Sequence, residues 1–215
     1  MAKYIIMSKE LFLPEPEMIS GFTVDGSVLS GLRLAIARTA LRRPNFKLYG
    51  IDSTEFCRVI GEQDFEIVME QMEPLLDAAL RLPGRVTEMH VVGTGVKRGQ
   101  VQTVPFWHHD HPCGTGDMVV ISDTLTTEFA VGSLEGGHPV SKAKEVMKSY
   151  SSKENILGYS SAIDLAIDDS DLKQFPTLPN VGYHFNEQHA HRAQINNTDE
   201  TVDRTVISIV YDTRG

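Results

Sequence analysis

Apolar residues recur at helical spacing in two segments near the start of the chain. In residues 29–44 they include Leu29, Leu32, Leu34, Ile36 and Leu41, and Pro44 ends the pattern. Residues 64–84 repeat the spacing, with Pro74 at a point where it could kink or divide a helix. One apolar face at this period is typical of an amphipathic helix. Residues 1–86 are therefore predicted to form a mainly helical support region.

From about residue 87 the pattern changes to short runs rich in β-branched and aromatic residues, with Gly, Pro, Asn or Asp in most of the gaps. Eight such runs are predicted strands: 87–93, 101–110, 117–123, 127–132, 156–167, 180–185, 191–195 and 204–212. The last is apolar on both faces, as expected of a strand covered on both sides. The order predicts an α+β chain of one domain with a mainly β core at residues 87–215, a β-sandwich or jelly roll with the helices packed on one sheet.

Composition excludes some classes of function. The 215 residues carry a net charge of −9 and no long basic run, which disfavours tight binding to nucleic acid. No segment approaches the roughly 18 apolar residues of a membrane span, and residues 1–18 lack the longer apolar run and small-residue cleavage site expected of a secretory signal. Cys57 and Cys113 are too few for a disulfide framework. We expect a cytoplasmic protein that binds a small molecule and neither nucleic acid nor membrane, with a homodimer as the default assembly.

Six of the eight histidines fall in two clusters, at 107–112 and 183–192. His108 and Asp110 are two residues apart, so on a strand both side chains point to the same face. With a histidine from a distant strand they would complete a two-histidine, one-carboxylate set that leaves coordination positions of a metal open. The second cluster offers three candidates for that ligand, His184, His189 and His191.

Arg204 opens the last predicted strand. A buried arginine is costly unless it meets a carboxylate, and its planar fork suits bidentate binding of one. A dicarboxylate that chelates a metal with one end could therefore be anchored by Arg204 at the other.

The stretches PFWHHD, TEFAVGS and HRAQINNTDETVDRTVISIVY resemble the iron(II)- and 2-oxoglutarate-dependent oxygenases, particularly the phytanoyl-CoA-hydroxylase-like and prolyl-hydroxylase-like branches. The resemblance covers roughly residues 100–215. It implies a double-stranded β-helix of cupin-like type, with iron(II) held by His108, Asp110 and His191. It also implies 2-oxoglutarate and dioxygen as co-substrates, with the 2-oxoglutarate carboxylate on Arg204. His191 is preferred as the distal ligand because Asn196 follows it by five residues, as in the phytanoyl branch.

The resemblance implies a hydroxylase that releases succinate and carbon dioxide. Related halogenases carry a small residue in place of Asp110, so the carboxylate favours hydroxylation, with desaturation left open. A small molecule such as an amino acid or a biosynthetic intermediate is the expected substrate. Glu128 and Arg98 are candidate substrate contacts.

This chain departs from the family pattern after the arginine. Many relatives have Arg-x-Ser, with the hydroxyl helping to hold the co-substrate carboxylate, and here Val206 stands at that position. Thr205 or Ser208 could replace the hydroxyl, and Ser208 is the one that shares a strand face with Arg204.

Other assignments stay open at this stage. His189 could replace His191, since strand periodicity does not separate them. His109 and His111 could form a cupin-like pair in a metal dioxygenase or isomerase that does not use 2-oxoglutarate. A non-enzymatic β-sandwich binding module with incidental histidines is the third alternative.

Overall fold

The computed structural model describes residues 10–38, 45–49, 62–102, 106–109, 117–135, 163–164, 167–168, 170–186 and 188–212. Asp110, His111, Cys57 and Cys113 lie outside these residues. Two helices are described, α1 (Gly26–Arg38) and α2 (Glu62–Ala79). The described strands are β1 (Glu10–Leu13), β2 (Glu17–Thr23), β3 (Asn45–Tyr49), β4 (Arg85–Val96), β5 (Asp117–Ser122), β6 (Thr127–Glu135), β7 (Lys173–Pro176), β8 (Val181–Phe185), β9 (Ala190–Ala193) and β10 (Val202–Asp212).

The strands form two antiparallel sheets. The large sheet has six strands in the order β2-β8-β5-β10-β4-β3. The small sheet has the order β1-β6-β7, and β9 also pairs with β6. Strand β10 lies between β4 and β5, with one register shift between Val210 and Tyr211 in its ladder to β4. The mainly β core predicted from the sequence is confirmed.

Both helices pack on one face of the large sheet. The Asp25 carboxylate accepts hydrogen bonds from the Ser27 backbone nitrogen at 2.8 Å and the Ser27 hydroxyl at 2.6 Å, which caps the start of α1. Helix α2 continues through Pro74 without dividing. The apolar faces of α1 and α2 share a core with the large sheet. Its buried members include Leu29, Leu32, Met72, Leu75, Met89, Val91, Val119, Ile121, Ile207 and Ile209. The prediction of helices packed on one sheet is confirmed, and neither described helix is long and apolar enough to cross a membrane.

A second apolar cluster fills the space between the two sheets. Its buried members come from both: Val92, Met118, Val120, Phe129, Tyr183, Phe185 and Val206. On β10, Val206 belongs to this inner cluster while Ile207 belongs to the helix-covered one. The last strand is therefore apolar on both faces because it separates two cores, as its sequence indicated.

A third cluster covers the outer face of the small sheet, where Trp107 is fully buried with Ala130, Leu134 and Ala190. Because Trp107 is the neighbour of His108 in the chain, alternation turns its indole to the opposite side from that imidazole. The indole packs on the small sheet, whereas the helices α1 and α2 cover the large one.

Two segments differ from the sequence predictions. The region 1–86 supplies three strands in addition to its helices: β1 joins the small sheet, and β2 and β3 are the edges of the large one. In the predicted strand 156–167, the described residues Ile163, Asp164 and Ile167 are helical. Ile163 and Ile167 are both buried and four positions apart, a spacing that puts two side chains on one face of a helix and also on one face of a strand, so apolar spacing alone did not distinguish the two.

Candidate active site

His108 and His191 lie side by side on neighbouring chain segments. The His108 backbone nitrogen donates to the His191 oxygen at 3.0 Å, and the His191 nitrogen donates to the His108 oxygen at 2.9 Å. The centroids of the two imidazole rings are 4.4 Å apart. The fold therefore brings together one histidine from each of the two sequence clusters.

The orientation of both rings is set by backbone carbonyl groups. His108 Nδ1 lies 3.0 Å from the Phe106 oxygen, and His191 Nδ1 lies 3.4 Å from the His189 oxygen. A carbonyl only accepts hydrogen bonds, so in the neutral ring Nδ1 carries the proton and the acceptor lone pair is on Nε2. Metal-binding histidines are commonly fixed in this way. Both imidazoles thus meet one requirement of a ligand pair that binds through Nε2.

The two histidines open on a cavity of about 180 Å³ between the sheets. The cavity is small, with charged or hydrogen-bonding groups among apolar walls. Its lining consists of His90, Val92, His108, Val120, Thr127, Phe185, His191, Arg192, Ala193, Arg204, Val206 and Ser208.

Arg204 extends from β10 into the same cavity and is only 2% exposed. Its Nη1 donates a hydrogen bond to the Gln102 side-chain oxygen. Within the described part of the chain, no carboxylate lies within ion-pair distance of the guanidinium, and Nε has no hydrogen-bond partner. Burying an arginine in this state costs free energy that an incoming anion could recover.

Burial also lowers the pKa of Arg204, from 12.5 to about 10, and the negative charge of Asp123 offsets part of this effect. The guanidinium remains protonated at neutral pH. The cavity therefore holds a positive charge together with the two imidazoles.

The other predicted co-substrate contacts separate into two groups. Ser208 lines the cavity with Arg204, as expected from their shared strand face. Thr205 lies on the opposite face, where its hydroxyl donates to the Leu29 oxygen of α1 at 3.3 Å. Strand alternation turns the Thr205 side chain toward the helices, so this geometry favours Ser208 over Thr205 as the residue beside Arg204.

The predicted substrate contacts lie away from the cavity lining. Glu128 accepts a hydrogen bond from Arg192 Nε at 3.0 Å. Its neighbours Thr127 and Phe129 point inward, so Glu128 occupies the outer face of β6. Arg98 forms an ion pair with Asp199 on the surface, where the two side chains are 70% and 85% exposed. Neither position matches the prediction that these residues contact a substrate in this cavity.

The competing histidines occupy different surroundings. Of the described histidines, those that line the cavity are His90, His108 and His191. His189 is buried against Phe129 and Phe185, with its Nδ1 3.1 Å from the Asn186 backbone nitrogen, and burial lowers its pKa. This geometry favours His191 over His189 as the partner of His108.

The third member of the predicted ligand set, Asp110, falls outside the described residues. Within the described part, no group of three His, Cys, Asp or Glu side chains is arranged to hold a metal ion. The role of Asp110 therefore remains a prediction from its spacing to His108.

Two polar residues of the site, one in the cavity lining and one beside Arg204, have no counterpart in the sequence predictions. Thr127 lines the cavity, and alternation with the apolar Phe129 is a signal that could have identified it. Gln102 contacts Arg204 from the segment after β4. No local pattern marks Gln102, since its contact depends on how distant segments meet.

Asn196, which supported the choice of His191, is fully buried and its side chain bonds to neighbouring backbone groups. Its side-chain nitrogen donates to the Val96 oxygen at 2.7 Å and the Glu200 oxygen at 2.8 Å. Its side-chain oxygen accepts from the Thr198 nitrogen at 2.9 Å and the Thr198 hydroxyl at 2.7 Å. Asn196 thereby connects the end of β4 to the loop that leads into β10.

No protein-family model and no curated protein matches the chain. Among solved structures it is similar to SnoK, a non-heme alpha-ketoglutarate-dependent carbocyclase from nogalamycin biosynthesis, with 11% identity, coverage of 96% of this chain and 83% of SnoK, and a TM-score of 0.48. AviO1 from Streptomyces viridochromogenes Tue57 gives 12% identity, coverage of 91% and 89%, and a TM-score of 0.48. The Kdo hydroxylase KdoO, a non-heme Fe(II) alpha-ketoglutarate-dependent dioxygenase, gives 8% identity, coverage of 89% and 76%, and a TM-score of 0.45.

Non-heme enzymes that depend on alpha-ketoglutarate, which is 2-oxoglutarate, are thus among the solved structures similar to this chain. Because the identities do not exceed 12% and the TM-scores are below 0.5 for these three, the likenesses do not by themselves establish a fold family or an activity.

Proposed function

We propose that this protein is an iron(II)- and 2-oxoglutarate-dependent oxygenase that hydroxylates a small molecule. The observation that carries the proposal is the buried guanidinium of Arg204, which shares one cavity with the imidazoles of His108 and His191. A cation at one point and two metal-type donors at another are what a chelating dicarboxylate requires.

The donor set fits iron(II). Both imidazoles have Nδ1 near a carbonyl, which makes Nε2 the nitrogen with the lone pair that a metal ion requires. Asp110 is proposed as the carboxylate ligand, because two histidines and one carboxylate are typical of non-heme iron(II) sites with open positions. Iron bound there would supply the binding of dioxygen and of a 2-oxo acid, and the redox chemistry that joins them.

Arg204 fits the far carboxylate of 2-oxoglutarate. Its charge is not compensated by any carboxylate among the described residues, and Nε has no partner there. Val120, Phe185 and Val206 provide apolar walls, which exclude water and strengthen the attraction between guanidinium and carboxylate. In the overall reaction, 2-oxoglutarate and dioxygen would become succinate and carbon dioxide, with the second oxygen atom transferred to the substrate.

The remaining expectations belong to the same proposal. The two stacked sheets would be a double-stranded β-helix of the kind found in the phytanoyl-CoA-hydroxylase-like and prolyl-hydroxylase-like branches. The substrate would be an amino acid or biosynthetic intermediate in the cytoplasm, without nucleic-acid or membrane partners, and a homodimer is the expected assembly.

The proposal is tested by succinate release from 2-oxoglutarate in air, with and without iron(II), during a screen of amino acids and small biosynthetic intermediates. We expect succinate only when iron(II) and 2-oxoglutarate are both present, and loss of it in Arg204→Gln. Arg98→Gln is the matched control, since Arg98 is exposed. Oxygen uptake that needs iron but not 2-oxoglutarate would favour the cupin-type alternative, and absence of any iron binding would reject an iron-dependent enzyme.

A further inference from the structure

Gln102 occupies the place beside a buried cation where a carboxylate would be expected. Charged side chains are rarely buried unless they are paired. The partner of the Arg204 Nη1 atom is nevertheless a neutral amide, the side-chain oxygen of Gln102. Because this partner is neutral, it does not compensate the positive charge that Arg204 brings to the cavity.

The direction of the Gln102 amide is fixed by two backbone carbonyl groups. Its Nε2 donates to the Val92 oxygen at 3.2 Å and to the Arg204 oxygen at 3.0 Å. Because carbonyl oxygens only accept, the NH₂ end must face β4 and β10, and Oε1 must face the guanidinium. The same amide therefore connects two strands and holds Nη1 in one orientation.

The arrangement uses little of the hydrogen-bonding capacity of Arg204. A guanidinium has five N–H donors in a fixed fork, and one of them is occupied by Gln102. Nε is buried and has no partner among the described residues. A bidentate carboxylate could use the donors that remain and would find the full positive charge.

From these contacts we propose that Gln102 is a positioning residue which orients Arg204 without neutralising it, and so sets the preference of the cavity for a dicarboxylate. The inference rests on the proposed function, because it takes the second carboxylate to be that of 2-oxoglutarate. A glutamate at this position would form an internal ion pair with Arg204 and compete with the ligand. Its carboxylate would also face the Val92 and Arg204 carbonyl oxygens without a donor.

The test compares 2-oxoglutarate with 2-oxovalerate, a 2-oxo acid of the same chain length that lacks the second carboxylate. Both are titrated by calorimetry, without oxygen, into the full-length protein loaded with iron(II). In wild type we expect 2-oxoglutarate to bind about 10- to 150-fold more tightly, the effect of hydrogen bonds to a charged group. In Gln102→Glu this ratio should fall to within about threefold of unity, with the affinity for 2-oxovalerate nearly unchanged.

Two further variants make the result specific. Gln100→Glu introduces the same charge at an exposed position in the same segment, and it should keep the wild-type ratio. Gln102→Met removes the hydrogen bonds without adding charge and should lower the ratio by roughly three- to tenfold, through lost orientation of the guanidinium. If Gln102→Glu does not fold, this neutral variant decides the question.

Each outcome has one meaning. An unchanged ratio in the foldable Gln102 variants overturns the role of Gln102 while leaving the proposed function intact. An equal loss of affinity for both ligands would indicate a purely structural role and also overturns it. A wild-type ratio near unity contradicts the use of Arg204 in the proposed function, and the selectivity role of Gln102 fails with it.

Discussion

The guanidinium of Arg192 lies over the indole ring of Trp107, with Cζ 4.3 Å from the ring centroid. These residues are the sequence neighbours of His191 and His108, so their side chains occupy the face opposite to the two imidazoles. Arg192 Nε also donates a hydrogen bond to the Glu128 carboxylate at 3.0 Å, and the Trp107 indole nitrogen donates to Asp168 at 3.2 Å. The stacked pair therefore joins the two histidine-bearing segments from behind.

Removing this stacking should weaken the metal site, although Arg192 is not one of the proposed metal ligands. In Arg192→Met we expect the affinity for iron(II) to fall roughly tenfold, at the lower end of the effect of residues that support metal ligands. The dissociation constant is measured without oxygen by competition with a chelator. Arg98→Met removes an exposed ion pair and should leave the constant unchanged. Wild-type affinity in Arg192→Met, or an equal loss in the control, would contradict this role.

Two hydroxyl residues on opposite faces of β10 provide a test of strand orientation. Ser208 lines the cavity, whereas the Thr205 hydroxyl donates to the Leu29 oxygen at 3.3 Å and accepts from Arg33 Nη1 at 3.4 Å. Thr205→Val should lower the free energy of unfolding by about 1 to 3 kcal/mol, because both hydrogen bonds are lost, and leave 2-oxoglutarate affinity unchanged. Ser208→Ala should leave the free energy of unfolding nearly unchanged and lower the affinity for 2-oxoglutarate. Urea unfolding and titration with 2-oxoglutarate of both variants check these expectations. A loss of affinity in Thr205→Val but not in Ser208→Ala would contradict the orientation of the two side chains on β10.

Tyr211 should make the fold sensitive to alkaline pH. The side chain is 3% exposed, and burial, followed by the charges of Asp117 and Glu17, raises its pKa from 10.0 to about 12. Its contribution to stability is complete below pH 10, because both states are then protonated. Between pH 10 and 12 the unfolded chain loses the proton first, so the free energy of unfolding falls as the pH rises.

The comparison with Tyr211→Phe isolates this effect. Urea unfolding across that pH range should show a shallower decline in the variant than in wild type. Arg204 also titrates with a shifted pKa, but it is present in both proteins and cancels in the difference. Equal slopes for the two proteins would show that Tyr211 is not responsible.

Much of the fold was predictable because each element carries its own period. The helices α1 and α2 and most of the core strands follow directly from apolar spacing, and the two faces of β10 follow from its composition. The strands β1, β2 and β3 were missed because they are edge strands of their sheets. Their pairing depends on partners far away in the sequence, which local periodicity does not record.

The candidate site was predictable to a similar depth. Alternation correctly placed Ser208 and Arg204 on one face, and the histidine clusters identified the two residues that the fold joins. The same rule applies to Glu128: because its neighbours Thr127 and Phe129 point inward, Glu128 lies on the outer face of β6. Gln102 could not be found in this way, because its role follows from meeting Arg204 across the fold and not from its own neighbours.

The central claim is that His108 and His191, with Asp110, hold iron(II) to which 2-oxoglutarate is chelated. The most direct measurement is the visible absorption spectrum of the protein after iron(II) and 2-oxoglutarate are added without oxygen. A weak charge-transfer band is predicted for wild type and for His189→Ala, and its loss is predicted for His108→Ala and His191→Ala. A wild-type protein without the band, or a band that survives in His191→Ala and disappears in His189→Ala, would contradict the account.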